Sequence, residues 1–199
     1  MSKRSVTVVL GVVLAAAALA TAARAASPAP SGVKAEMLMF ISDAESKLNQ
    51  LAEAIPEDKY NWRPGEGVRS CAEVFMHVAG ANYGIPSFWG VKPPEGFDFK
   101  TYEKSLTSKA DIQKALKASF VHVKAALAAT SNAELAKPTD LFGMKTTVRG
   151  GWMLVLSHAH EHLGQMIAYA RMNGVVPPWT AAQNAKEAAE LKKKNAASQ

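Results

Sequence analysis

Four stretches of the chain carry apolar residues at helical spacing, and turn-forming residues separate them. The stretches cover residues 33–55, 70–85, 108–127 and 152–173. Apolar residues recur in each at intervals of three or four, which places them on one face of an α-helix. We find no convincing alternation of apolar and polar residues of the kind that marks a strand. The sequence therefore predicts an all-α four-helix bundle, because amphipathic helices bury their apolar faces against one another.

The ends of these helices also carry recognisable signals. Ser70 and Glu73 have the spacing of a capping box at the start of the second helix. Ser108 can begin the third helix, and Gly174 can end the fourth, with two prolines shortly after it. Long connections follow the second and third helices. We expect crossover loops there, because such lengths can reach a helix that is not the nearest neighbour.

The start of the chain resembles an export signal. A short basic segment precedes an uncharged apolar run at residues 6–20, and Ala23-Arg24-Ala25 follows. This order predicts a secretory signal peptide in residues 1–25, cleaved after Ala25. An uncleaved anchor is the alternative, although the run is shorter than the ~20 residues of a spanning helix. We therefore expect a periplasmic or secreted protein without stable membrane association after cleavage. Its helical domain would cover residues 26–180, and residues 181–199 would form a polar tail, either nascent helix or disordered.

Charge and cysteine content limit the function classes. The chain has 199 residues and a formal net charge of +6. Most of this excess lies in the predicted signal peptide and in the lysine-rich tail, so the body is close to neutral. No basic stripe remains to follow a phosphate backbone, and we expect no nucleic acid partner. The single cysteine, Cys71, cannot form an internal disulfide. A buried apolar role is favoured over a reactive thiol.

Three of the five histidines lie within residues 158–162. His158 and His162 are four residues apart and share a helix face that is otherwise apolar, whereas His160 points about 200° away from His158. His77 lies on the inward face of the second helix. Two histidines one turn apart can bind a divalent ion when a third ligand comes from another helix. Spacing alone leaves ordinary core histidines equally open. His122 has no ligand spacing and is expected at the surface.

The histidine segments lie within a longer pattern. YNWRPGEGVRSCAEVFMHVAGANYG, at residues 60–84, precedes HAHEHLGQMIAYARMNGVVPP, at residues 158–178. Together these segments resemble the DinB-like family, a group of bacterial metal-binding four-helix bundles. The resemblance extends over residues 33–178. It implies one divalent metal ion, Zn, Ni, Fe or Mn, bound by one histidine of the second helix and two of the fourth. These positions are His77, His158 and His162.

A site with three neutral imidazoles leaves at least one coordination position open, as in catalytic rather than structural sites. Such an ion lowers the pKa of a bound water or thiol. We therefore expect an exported metalloprotein that is a metal-dependent hydrolase or a thiol transferase. The alternative is a non-catalytic module that binds metal or a small ligand. The expected partner is a small-molecule substrate or ligand, and a homodimer is left open.

Three further side chains are candidates for supporting the histidines. Gln165 and Tyr169 lie on the same helix stripe as His158 and His162, and Glu73 lies one turn before His77. Each could hydrogen-bond a ligand histidine or handle protons. For Glu73 the competing interpretation is a purely structural role in the capping box with Ser70.

Overall fold

The computed structural model describes residues 32–197. Its long helices form a bundle, which confirms the predicted all-α four-helix architecture. The predicted signal peptide lies outside the described residues. In chain order the helices are α1 (Val33–Ala54), a single 3₁₀ turn (Glu57–Lys59), α2 (Cys71–Ser87), α3 (Phe99–Tyr102), α4 (Lys109–Ala129), α5 (Asn132–Leu135), α6 (Val148–Met172) and α7 (Pro178–Ala197).

The bundle is formed by α1, α2, α4 and α6. Both α1 and α2 pack against α4 and α6, so α1 and α2 lie diagonally across the bundle. Residues 55–70 and 130–147 therefore connect diagonal helices, whereas residues 88–108 join the neighbours α2 and α4. The expected crossover after the third long helix is confirmed. The other crossover follows the first long helix instead of the second.

Helix α2 is the most deeply buried helix of the bundle. Its side chains are buried at every position except Glu73, His77 and Ser87. This burial follows from its composition, because small and apolar residues continue around the whole helix rather than along one stripe. Of the three positions that are not buried, Glu73 lines a solvent-accessible cavity and His77 lies one turn further along the helix.

A capping box fixes the start of α2, as the sequence predicts. The Ser70 hydroxyl accepts a hydrogen bond from the Glu73 amide at 3.3 Å, and the Glu73 carboxylate accepts one from the Ser70 amide at 2.8 Å. These bonds satisfy donors that the first helical turn leaves unpaired. The cap thereby determines where α2 begins and how far along it His77 lies.

A short β-hairpin departs from the sequence-based expectation. Strand β1 (Pro138–Leu141) pairs antiparallel with β2 (Met144–Thr147). Phe142 and Gly143 form the turn with φ values of 55° and 86°, as two-residue hairpin turns of type I′ require. Strands of four residues are too short for a clear alternating pattern. The hairpin lies in the crossover that leads into α6.

The predicted polar tail is helical in the structure. Helix α7 covers Pro178–Ala197, and none of its residues is buried. Trp179 at its start packs partly against the core, and the exposed remainder is rich in alanines, lysines and glutamates, which have high helix propensity. Among the described helices, none combines the length and the apolar character needed to cross a membrane.

We predict that Cys71 is unreactive in the folded protein. The side chain is fully buried at the first position of α2, and burial raises the pKa of its thiol to about 11. At pH 8 only about one thiol in a thousand would then be ionised. Alkylation by iodoacetamide, followed by mass spectrometry, should be slow for the native chain and fast after unfolding in guanidinium chloride. Equal rates in the two states would contradict this prediction.

Candidate metal centre

The packing of α2 against α6 brings three histidines together. One ring nitrogen from each of His77, His158 and His162 lies within 4.8 Å of the other two. The Nε2 atoms of His158 and His77 are 3.0 Å apart. His162 is buried, and the other two rings are partly buried. The histidines that the sequence placed on facing helices thus form one cluster.

The two remaining histidines lie outside this cluster. His160 is on the same helix as His158 and His162, but its Nδ1 lies 3.0 Å from the carbonyl oxygen of Leu156. His122 was expected at the surface, and the structure shows it only partly exposed. Its ring packs edge-on against Tyr83 with centroids 5.1 Å apart, and its Nε2 is buried without a hydrogen-bond partner in the described part of the chain.

A carboxylate contacts the Nδ1 atom of His77 and orients its ring. Its Nδ1 lies 3.0 Å from Oε2 of Glu103, and the other oxygen of Glu103 accepts a 2.8 Å hydrogen bond from Nε of Arg69. A proton on Nδ1 is donated to the carboxylate, which leaves the lone pair of Nε2 directed at the cluster. This is the usual way in which proteins orient a metal-binding histidine.

His162 is held by a neutral chain of hydrogen bonds. Its Nδ1 donates to the side-chain oxygen of Gln165 at 2.7 Å, and the Gln165 amide donates to the Tyr169 hydroxyl at 2.9 Å. That hydroxyl donates to the backbone carbonyl of Arg69 at 3.2 Å. Gln165 and Tyr169, both candidates from the sequence, therefore support His162 from within α6. This series of hydrogen bonds also connects α6 to the segment that precedes α2.

Glu73 does not contact any of the three histidines. Its carboxylate caps α2 and lies 3.2 Å from the Arg63 guanidinium. The amide of Ser70, with a smaller contribution from Arg63, lowers the pKa of Glu73. The capping interpretation is therefore the right one for Glu73. The carboxylate that supports a histidine is Glu103, which the sequence analysis did not identify. It lies just after α3, where no helical periodicity relates it to His77.

The donor set fits a divalent transition metal. With Zn–N bonds of 2.0–2.1 Å, two ligands of a tetrahedral ion lie ~3.3 Å apart, and the closest nitrogen pair here is at 3.0 Å. A cavity of about 550 Å³ adjoins the cluster, and Glu103 and Gln165 form part of its wall. Glu103 and Gln165 are hydrogen-bonded to His77 and His162, so this cavity lies next to the histidine cluster.

The sequence profile of the DinB superfamily matches residues 41–166, which is more than half of the chain. The chain belongs to the DinB superfamily. A curated relative, the uncharacterized protein YjoA of Bacillus subtilis, is 26% identical over 129 residues, which cover 63% of this chain and 81% of YjoA.

Solved structures share the fold of this DinB-superfamily chain. A DinB-like protein from Bacillus cereus matches with a TM-score of 0.61 and 21% identity, covering 71% of this chain and 93% of that one. The structure of YjoA from Bacillus subtilis matches with a TM-score of 0.56 and 24% sequence identity, covering 70% of this chain and 92% of YjoA. YfiT from Bacillus subtilis matches with a TM-score of 0.59 and 14% sequence identity, covering 75% of this chain and 94% of YfiT. It is described as a probable metal-dependent hydrolase with an unusual four-helix bundle topology. At these identities the likeness concerns the fold alone.

The surroundings favour the neutral form of two of the clustered histidines, His77 and His158. Burial, with smaller contributions from His162, His77 and Arg69, lowers the pKa of His158 to about 3. Burial and the charge of Arg69 also lower the pKa of His77, although Glu103 partly opposes them. A neutral imidazole is the form that binds a metal ion. In this DinB-superfamily protein the His158 imidazole therefore remains able to bind metal at pH values well below neutrality, and the lowered pKa of His77 acts in the same direction.

We predict that Glu103 supports metal binding through His77. Replacing it by alanine removes the acceptor that orients the ring, and loss of such a partner typically weakens metal binding about 10- to 100-fold. The change is measured by competition for Zn²⁺ with a chelating dye. Glu53→Ala, which removes the same charge from an exposed position of α1, is the matched control and should bind like the parent. Equal affinities of the Glu103→Ala and Glu53→Ala variants would contradict the assigned role.

Proposed function

We propose that this protein binds one divalent metal ion through His77, His158 and His162 and uses it to hydrolyse a small molecule. The observation that supports this most directly is the convergence of three imidazoles beside an open cavity whose wall includes Glu103 and Gln165, the hydrogen-bond partners of His77 and His162. A purely structural metal site would enclose the ion with four protein ligands. Here the described residues supply three histidines, so an ion bound by them would keep a coordination position for water or a substrate.

An ion held by three neutral imidazoles retains its full charge, polarises a substrate oxygen and lowers the pKa of a water molecule toward neutrality. The chain's own residues prepare the site for this chemistry. Glu103 and Gln165 fix the rings of His77 and His162, so that little reorganisation is needed on binding. The cavity volume of about 550 Å³ is typical of sites for small molecules and favours such a substrate over a polymer.

Thiol transfer is the second candidate for this metal site. It requires a thiol that reaches the metal, and Cys71 is fully buried in the core. The thiol would therefore have to be a second substrate. Hydrolysis needs only water and is the simpler activity for the cavity. The description of YfiT as a probable metal-dependent hydrolase is consistent with this choice.

We predict that His77→Ala, His158→Ala and His162→Ala each lose tight metal binding and hydrolysis of 4-nitrophenyl acetate together. Two imidazoles hold an ion poorly against water, so the loss of one ligand should reduce bound metal from one equivalent per chain to a small fraction. Elemental analysis measures the metal, and release of nitrophenol measures the activity. Each variant should still fold, although it should melt at a lower temperature than the metal-loaded parent.

His160→Ala is the matched control, because His160 lies on the same helix but outside the cluster. It should retain both metal and activity. Equal metal loss in His160→Ala and His158→Ala would contradict the assigned ligand set. Nitrophenol release that requires an added thiol would indicate a transferase. Full metal content without activity toward a panel of esters would favour the non-catalytic binding module.

We also propose that the protein acts outside the cytoplasm, as the basic start, the apolar run and the Ala23-Arg24-Ala25 segment predict. Expression of the full sequence in a bacterial host should release a mature protein that begins near Ala26. N-terminal sequencing of the periplasmic or secreted fraction measures this. Full-length protein in the membrane fraction would support the uncleaved anchor instead.

A further inference from the structure

We propose that the substrate of this site is a small organic anion and that Lys104 binds its charged group. This inference rests on the proposed function, because it concerns the cavity that adjoins the histidine cluster. It adds the chemical class of the substrate and a residue that selects it. The charges on the cavity wall and their pairing support it.

The cavity wall carries three cationic and two anionic side chains. The two anions are already paired with two of the cations. Arg63 lies 3.2 Å from Glu73, and Arg69 lies 2.8 Å from Glu103. Each arginine thus offsets a carboxylate that the structure uses elsewhere, one to cap α2 and one to orient His77. Three cations against two anions give the wall a net charge of +1, and Lys104, whose charge also acts on Glu73 from a distance, is the wall cation that forms no ion pair among the described residues.

Lys104 is exposed and forms no salt bridge or side-chain hydrogen bond with any residue between positions 32 and 197. It directly follows Glu103, whose carboxylate contacts His77. The backbone at Lys104 is therefore tied to the histidine cluster. The ammonium group extends from this fixed point along the wall of the same cavity.

A bound metal ion makes this preference stronger. Imidazole ligands are neutral and would not reduce the charge of a divalent ion, so an ion bound by the histidine cluster would add positive charge beside the cavity that Lys104 lines. A molecule with an anionic group at one end and a metal-seeking oxygen at the other can satisfy both. A cationic molecule of the same size would be repelled, because neighbouring like charges raise its energy in a cavity that limits solvent screening.

The test uses glutarate and its neutral analogue glutaramide as probes, with binding measured by isothermal titration calorimetry. Zinc-loaded parent protein should bind glutarate more tightly than glutaramide, and the difference should shrink as salt screens the charges. Lys104→Met should weaken glutarate binding about fivefold at low salt, the upper range for an exposed ion pair, and leave glutaramide binding unchanged.

Lys100→Met is the matched control. It removes the same charge from an exposed position of α3, and Lys100 is not among the described residues that line this cavity. Its glutarate affinity should equal that of the parent. If Lys104→Met also binds glutarate like the parent, the anion inference is overturned while the metal-dependent hydrolase stands.

A metal-free arm separates the two proposals. If the protein binds none of Zn²⁺, Ni²⁺, Fe²⁺ and Mn²⁺, the proposed function fails, and the glutarate and glutaramide titrations are then compared in the metal-free proteins. Weaker glutarate binding by Lys104→Met than by Lys100→Met would still support Lys104 as the anion-binding residue. Glutarate binding that is equal in all three proteins, or absent from the parent, would overturn it.

Discussion

The packing of α2 against α6 is the contact on which the site depends. Helix α2 is buried on nearly all sides, and its neighbours leave only Glu73, His77 and Ser87 partly or fully exposed. Because α1 lies across the bundle from α2, α6 can approach α2 closely enough for His158 and His77 to meet at 3.0 Å. An apolar core that specifies the helix order thus also specifies the position of three polar side chains.

The hydrogen bonds behind the histidines convert this proximity into a defined geometry. Glu103 holds His77 and Gln165 holds His162, so two of the three rings have a fixed tautomer and direction. Arg69 contributes to both arrangements, through its guanidinium to Glu103 and through its carbonyl to Tyr169. The segment before α2 therefore links the two supports, and a shift there would disturb both rings at once.

The sequence predicted features whose cause is local. The helices, the capping box of Ser70 and Glu73 and the shared face of His158 and His162 follow from spacing of three or four residues, which periodicity reveals directly. Glu103 escaped prediction because it meets His77 through the path of a loop, 26 residues along the chain. The hairpin was missed because its strands have only four residues each. The partial burial of His122 depends on Tyr83 of another helix.

Burial of the histidines has a chemical consequence at the cluster. Two Nε2 atoms at 3.0 Å can share only one proton, and Glu103 already fixes the proton of His77 on Nδ1. The shared proton therefore belongs to His158, whose lowered pKa keeps it neutral. A metal ion requires that this proton move to the other nitrogen of the same ring. Metal binding at His158 therefore costs the free energy of this tautomer change. It does not cost the free energy of removing a proton from a charged histidine.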